Sequence, residues 1–280
     1  MSAPVVLAVG LSGVTLVVLG WYAVGARRLL AHPQGRRRLP RMAALLVAVA
    51  VVAVTCAPPV GEVLEQRLST HMVQHLVLIL VAAPLLALAA PGPVVLAGMP
   101  PAVRSRLVRI VHRVPLAGLV APHLAWAAHI GALWLWHLPG PYDLAVRSET
   151  AHLLEHATFL LTAWLFWWHL VRAGRRRLRG AAAAAYVVAA VPPGAALGAV
   201  LTFPDHVLYP DQAAHAAAAG ANPLADQHLA GLVMWVPLDF AYLALAIWIF
   251  GRWLHRLGDL APVLPELPLD ARPDPVEVLR

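Results

Sequence analysis

The sequence predicts an all-α integral membrane protein: a bundle of seven transmembrane helices with its N-terminus outside and its C-terminus in the cytoplasm. Three observations predict it. Of 280 residues, 60% are hydrophobic and only 12% are charged, half the roughly one quarter carried by a soluble domain. Seven stretches approach the roughly 20 apolar residues that a helix needs to cross a hydrocarbon core of about 30 Å. Arginine supplies all 21 basic side chains, and the arginines cluster after alternate stretches.

Residues 5–24 form the first expected span. No basic residue precedes them and Arg27 and Arg28 follow at once, so they read as an anchor rather than a signal peptide. Residues 42–60, 68–90, 114–138 and 150–171 are the next four. The sixth, 180–203, contains Val191-Pro192-Pro193-Gly194. Two missing N–H groups must kink or unwind it, and neighbouring helices must satisfy the freed carbonyls. Residues 227–250 complete the set. Arg27, Arg28, Arg36, Arg37, Arg38 and Arg41 follow the first span, and Arg104, Arg106, Arg109 and Arg113 the third. Arg172, Arg175, Arg176, Arg177 and Arg179 follow the fifth, and Arg252, Arg256, Arg272 and Arg280 the seventh. The opposite face keeps Arg67 and Arg147 alone. The positive-inside rule therefore places the four arginine-rich segments in the cytoplasm of a bacterial cytoplasmic (inner) membrane protein.

The net charge of +7 is then a topology signal with some attraction to anionic membrane lipids, and a nucleic-acid partner is excluded. Trp21, Trp134, Trp136, Trp167, Trp168, Trp248 and Trp253 fall near span ends, as an aromatic belt requires. Residues 1–258 form one multi-pass membrane domain without internal repeat. Residues 259–280, rich in proline and acid, read as a disordered cytoplasmic tail. The lone cysteine, Cys56, excludes an intramolecular disulfide and a multi-cysteine zinc site. No feature specifies an oligomer.

The fourteen histidines carry the chemistry. In this topology His71 and His75 open the third span from outside, His137 closes the fourth, and His152 and His156 open the fifth with Glu155 between them. His206 and His215 lie in the loop before the seventh span, which Asp226 and His228 open. His71/His75 and His152/His156 are His-x-x-x-His pairs. Residues four apart on a helix share a face about one turn (~6 Å) apart, so both imidazoles of a pair can reach one metal ion or one facing helix. Ionisable groups within spans are costly and mark function. Imidazole suits copper, zinc, iron and nickel, whereas thioether and thiolate select Cu(I). Met72 stands beside His71, Met234 lies in the seventh span, and Cys56 is near the outer end of the second. This mixture points to copper, bound stably or in transit, with zinc as the alternative. The expected metal-binding residues are His71, His75, His137, His152, His156, Met72, Glu155, Asp226 and His228. Near the bilayer middle, Asp239 must pair or protonate, with His129 or His123 of the fourth span as expected partner.

The blocks Ser69-Thr70-His71-Met72-Val73-Gln74-His75, Ala83-Pro84-Leu85-Leu86, Trp136-His137-Leu138-Pro139 with Tyr142-Asp143, His152-Leu153-Leu154-Glu155-His156, Leu208-Tyr209-Pro210 and Asp226 through Pro237 come in a recognisable order. Over residues 60 to 250 the chain resembles the CtaG-type cytochrome c oxidase assembly factors of bacteria, a family with seven membrane spans. The resemblance implies a protein without enzymatic activity that helps build a haem-copper oxidase, handling or delivering copper for its catalytic subunit or assembly intermediates. Two other chemistries fit the same histidines. An intramembrane zinc-dependent hydrolase would add Ser69 and Asp226 and keep an open zinc position for water. A haem-binding membrane electron-transfer protein would use histidines on facing helices as axial ligands.

The arginine distribution has a direct check. In a Cys56-free background, single cysteines at 62, 143 and 211 should react with an impermeant maleimide added from outside, and cysteines at 36 and 176 only after the membrane is opened. Outside labelling at 36 or 176 would contradict the orientation.

Overall fold

The computed structural model describes the backbone of residues 3–113, 121–171 and 177–260, with side chains described for 16–111, 121–171 and 177–258. Helix α1 (Ala3–Leu30) leads through a 3-10 turn (Pro33–Arg38) to α2 (Leu39–Cys56) and the short α3 (Val60–Glu65). Helix α4 (Leu68–Val77) continues through a π-turn (Leu78–Ala82) into α5 (Ala83–Ala89), followed by α6 (Gly92–Gly98) and α7 (Pro101–Arg113). Then come α8 (Pro122–Trp136), α9 (Pro139–Arg147), α10 (Glu149–Val171), α11 (Gly180–Val188), α12 (Val191–Thr202), α13 (Pro210–Ala218) and α14 (Pro223–Leu260). No strand occurs among the described residues.

Among the described residues, four stretches are long and apolar enough to cross a membrane: Pro33–Cys56, Leu68–Ala89, Gly180–Thr202 and Pro223–Gly258. Large apolar side chains such as Leu46, Phe240 and Ile247 are about 70% exposed, a girdle that water would not tolerate and lipid favours. The other expected spans, 5–24, 114–138 and 150–171, fall on α1, α8 and α10, and residues 114–120 lie outside the described part. Two boundaries move. The second span ends at Cys56, because Ala57 is extended before Pro58, as a residue preceding proline prefers. The seventh runs on to Leu260 with Pro237 inside the helix, so the first two residues of the expected tail are helical, and 261–280 lie outside the described residues.

The π-turn has a local cause. Pro84 has no N–H to give and its ring crowds the carbonyl of the preceding turn. Widening the turn lets the Ala83 N–H reach back to the Leu78 carbonyl, which leaves the Ile79 carbonyl without its usual donor. The Trp167 indole of α10 supplies one at 2.9 Å. Between α11 and α12 the Pro192-Pro193 pair breaks the sixth stretch as expected, and the Trp134 indole donates to the Pro193 carbonyl at 3.2 Å. Trp134 and Trp167 therefore serve interior carbonyls, and Trp136 is buried in the core, a correction to the aromatic-belt reading for these three. For Trp134 and Trp167 the difference is physical: an indole N–H inside an apolar bundle favours a carbonyl left without its helical donor.

Small residues set the closest crossings. A Cβ on Gly231 of α14 would lie 2.2 Å from Thr202 Oγ1 and 2.8 Å from the Gly198 carbonyl of α12. One on Gly98 of α6 would meet the Trp21 carbonyl of α1. Backbones approach this closely only where a side chain is missing. Around these crossings the core gathers Met72, Ile79, Phe159, Phe166, Leu197, Leu201, Leu238 and Tyr242. Gly231→Ala should lower stability by about 1–3 kcal/mol through overpacking. Gly131→Ala, with nothing within 4 Å of the added carbon, should raise it by about 0.5–1 kcal/mol. Thermal melts of the two variants in detergent should shift in opposite directions.

Candidate metal centre

The first N–H groups of a helix have no partner within it, and Arg67, the residue before α4, provides no side-chain cap. The cap comes from α14. Asp226 Oδ2 accepts the Leu68 N–H at 2.7 Å, and its Oδ1 accepts the Ser69 N–H at 3.3 Å and the Ser69 hydroxyl at 2.5 Å. A carboxylate here also meets the positive end of the helix dipole. Helix α4 is thereby held against α14, with His71, Met72, Gln74 and His75 all buried. Gln74 Nε2 donates to the Thr55 carbonyl at 3.0 Å, tying α4 to α2 as well.

Against this face α10 brings His152, Glu155 and His156, and the end of α8 brings His137. His71 and His75 have ring centres 4.3 Å apart, and His152 and His156 4.2 Å apart. Between helices the separations are 5.2 Å for His71–His152, 5.2 Å for His75–His156 and 5.9 Å for His75–His137. One ligand atom from each of His71, His152, Glu155 and His156 lies within 4.8 Å of the others. Phe159 closes the inner side, its ring 4.7 Å from that of His75.

Two tethers aim imidazoles at the cluster. His137 Nδ1–H donates to the Leu133 carbonyl at 2.6 Å, so its Nε2 carries the lone pair, and this faces Met72 Sδ at 3.3 Å. His71 Nδ1 bonds the Tyr142 hydroxyl at 3.0 Å, and its Nε2 stands 3.3 Å from His152 Nε2. Cys56 Sγ is 3.9 Å from His156 Nδ1. Both ring nitrogens of His75, His156 Nε2 and both oxygens of Glu155 are buried without a hydrogen-bond partner. Each such atom costs about 1–3 kcal/mol, and a metal ion is the ligand that satisfies several converging lone pairs at once. The converging imidazoles and carboxylate therefore fit a metal, and a thioether and a thiol lie beside two of the cluster's histidines.

A cleft of about 670 Å³ reaches this cluster at His71 and His152, and Glu62, Glu65 and Glu149 line its walls. Glu65 Oε1 is 3.6 Å from His152 Nδ1. Burial first, then Glu62, pushes the Glu65 carboxyl above the usual carboxylate range, a strain that an approaching cation relieves.

With this geometry described, comparison with known families becomes informative. The family model of the cytochrome c oxidase caa3 assembly factor matches residues 20–256. The chain belongs to that family. No curated protein and no solved structure matches it. The assembly-factor match takes in every residue of the cluster and its cleft.

Of the residues expected to bind metal in this assembly factor, the structure brings together His71, His75, His137, His152, His156, Met72 and Glu155. Asp226 and His228 are engaged elsewhere: Asp226 caps α4, and His228 Nε2–H donates to the Pro204 carbonyl at 2.8 Å. Ser69, the hydroxyl a hydrolase would need, is bonded to that same capping carboxylate. The expected Asp239–His129 pair is also corrected. His129 Nε2 bonds the Tyr242 hydroxyl at 3.3 Å, while Asp239 lies against Gly194 of α12. Met234 is buried in the core with Leu238 and Tyr242. Sequence reasoning did not assign Tyr142, Glu62 or Glu65 to the site. Their signal was position, since they lie in short segments flanking the spans that carry the histidines.

Cap and ligand are separable by experiment. Asp226→Ala should cost about 1–2 kcal/mol of stability and lower the metal content of the loaded protein less than loss of a ligand does, because it loosens the seating of α4 without removing a donor. His156→Ala should cut metal content. Elemental analysis beside a melting curve reads both.

Proposed function

We propose that this assembly factor takes up copper at the histidine cluster and delivers it to the catalytic subunit of a haem-copper cytochrome c oxidase. It does so at the outer face of the bacterial cytoplasmic membrane, as a seven-span bundle with N-terminus outside and C-terminus inside. Its role is to carry a cargo, and it needs no bond-making chemistry of its own. One observation carries this reading: donors from α4 and α10 converge within 4.8 Å while several of their buried atoms lack a hydrogen-bond partner.

Copper is favoured over zinc by the sulfur atoms. A structural zinc site takes four imidazole, thiolate or carboxylate ligands, whereas here a thioether faces an imidazole lone pair and a thiol flanks another histidine. The acidic cleft supports an entry route: a cation meets Glu62 and Glu65 first, then the partly exposed His152, then the buried His71, His156 and His75. A donor must release its ion, so an exchange of ligands along a graded set suits transfer better than one rigid cage. The same cleft is where an acceptor would dock. The orientation is supported by the ends of the helices, for α4, α10 and α14 each begin at the histidine end, and α14 carries Arg252 and Arg256 at the other.

His71→Ala/His75→Ala and His152→Ala/His156→Ala should leave the protein inserted and folded, because apolar packing and the Asp226 cap supply the fold. Each pair should lower copper affinity by more than about 100-fold, since even an outlying hydrogen-bond partner of a ligand is worth 10–100-fold. Oxidase activity and oxidase copper in the host membrane should fall accordingly, with protein level checked by immunoblot. The single variant His152→Ala should be partly rescued by added copper, through mass action. Full oxidase activity in both double variants at normal protein level would remove the copper reading. Met72→Leu, which keeps volume, should weaken Cu(I) binding while leaving zinc binding within a few fold.

A further inference from the structure

Granted the copper reading, on which the following rests, the cluster offers more donors than one ion can use. His71, His152, Glu155 and His156 each bring one ligand atom within 4.8 Å of the others, and four ligands complete a tetrahedral site. His75, His137 and Met72 stand outside that set, all three buried. His71 and His152 line the acidic cleft, whereas His75, His137 and Met72 do not.

The second set is built as a site of its own. The His137 ring gives its one proton to the Leu133 carbonyl. A nitrogen lone pair therefore faces the lone pairs of Met72 Sδ at 3.3 Å with no hydrogen between them. Two acceptors so close need a cation to join them. With bonds of about 2.0 Å to nitrogen and about 2.3 Å to sulfur, donors at a right angle around one ion stand about 3.1 Å apart. His75 supplies the third donor. It shares a face of α4 with Met72, three residues away, and both its ring nitrogens are buried without a hydrogen-bond partner. Adding a ring radius of about 1 Å to the nitrogen bond puts an imidazole centre about 3 Å from its ion. The His75 and His137 rings, 5.9 Å apart, therefore span one ion.

The surroundings hold these donors in place. The Tyr209 hydroxyl donates to the His137 carbonyl at 2.7 Å, which pins the end of α8. The Phe159 ring, 4.7 Å from that of His75 and 6.0 Å from that of His137, forms an apolar wall. Glu155 stands between the two sets. Its Oε1 is 3.6 Å from His75 Nε2, and neither of its oxygens has a hydrogen-bond partner, so it can lend one oxygen to each side.

We infer that the cluster holds two copper ions side by side, a front ion on His71, His152, His156 and Glu155 and a rear ion on His75, His137 and Met72. The thioether makes the rear position selective for Cu(I). Because the rear donors do not line the cleft, an ion reaches them by way of the front position.

The test uses the full-length Cys56→Ala protein in detergent, so that copper–sulfur scattering reports the thioether rather than the thiol. The protein is loaded with Cu(I) against a competing chelator, copper is counted by elemental analysis, and X-ray absorption at the copper edge reads sulfur ligation. Two ions per chain should bind, with copper–sulfur scattering present. His137→Ala and Met72→Leu should each weaken one of the two ions at least tenfold, because losing a mere partner of a ligand already costs about 10–100-fold. The ion that remains should show no sulfur ligation. His152→Ala, at the front, should weaken the other ion and leave the sulfur scattering in place. Met72→Leu keeps volume and gives the answer if His137→Ala fails to fold. One ion in the parent protein, or two retained in both rear variants, would overturn the second position and leave the copper reading standing. No bound copper at all would remove both.

Discussion

One buried carboxylate organises the site. Asp226 of α14 accepts from the first two N–H groups of α4 and from the Ser69 hydroxyl. Because three directional bonds converge on one side chain, they fix both the depth and the rotation of α4. The rotation decides that His71, Met72 and His75 point inward together. A slip of one residue would turn that face by about 100° and send the imidazoles toward lipid, where each buried polar group costs several kcal/mol. The remaining contacts follow from this seating: Gln74 reaches α2, the Tyr142 hydroxyl meets His71, and α10 closes over the pair.

The two ends of the bundle differ in chemistry. One collects imidazoles, carboxylates and sulfur, the other guanidinium groups and indoles. Between them the interior is closed by Phe159, Phe166 and Tyr242, whose rings pack in contact series with His75, His129 and Tyr186. This largely apolar middle section separates the polar groups of the two ends. The extra turn at Leu78–Ala82 lies in this middle section, and the Trp167 indole that repairs it also ties α10 to the helix bearing the first histidine pair.

Much of this was legible in the chain because it is one-dimensional information. Apolar length identifies the helical stretches, and four-residue spacing identifies His71/His75 and His152/His156 as pairs sharing a face. Which buried polar group pairs with which was not legible, because that depends on rotation and on where neighbouring helices cross. Asp239 and His129 are at matching depth, yet the partner of His129 is Tyr242, one turn further along α14. Asp226 and His228 open a motif block of their own at the same end of the spans, but at a helix start the nearest unsatisfied groups are backbone donors and acceptors, and these claim both side chains. The π-turn was hidden for another reason: Pro84 signals a disturbance, but whether a helix kinks, breaks or takes in a residue is decided by which neighbour can satisfy the freed carbonyl.

The facing of His71 and His152 has a mechanical side. They lie on different helices, 81 residues apart in the chain. An ion gripped between them acts as a removable rivet: it closes a long loop that would otherwise be free to open and stabilises only the folded arrangement. On the proposed reading, a loaded carrier would be stiffer at this end than an empty one, and giving up the ion would loosen the jaws that held it. Release and relaxation would then be one event.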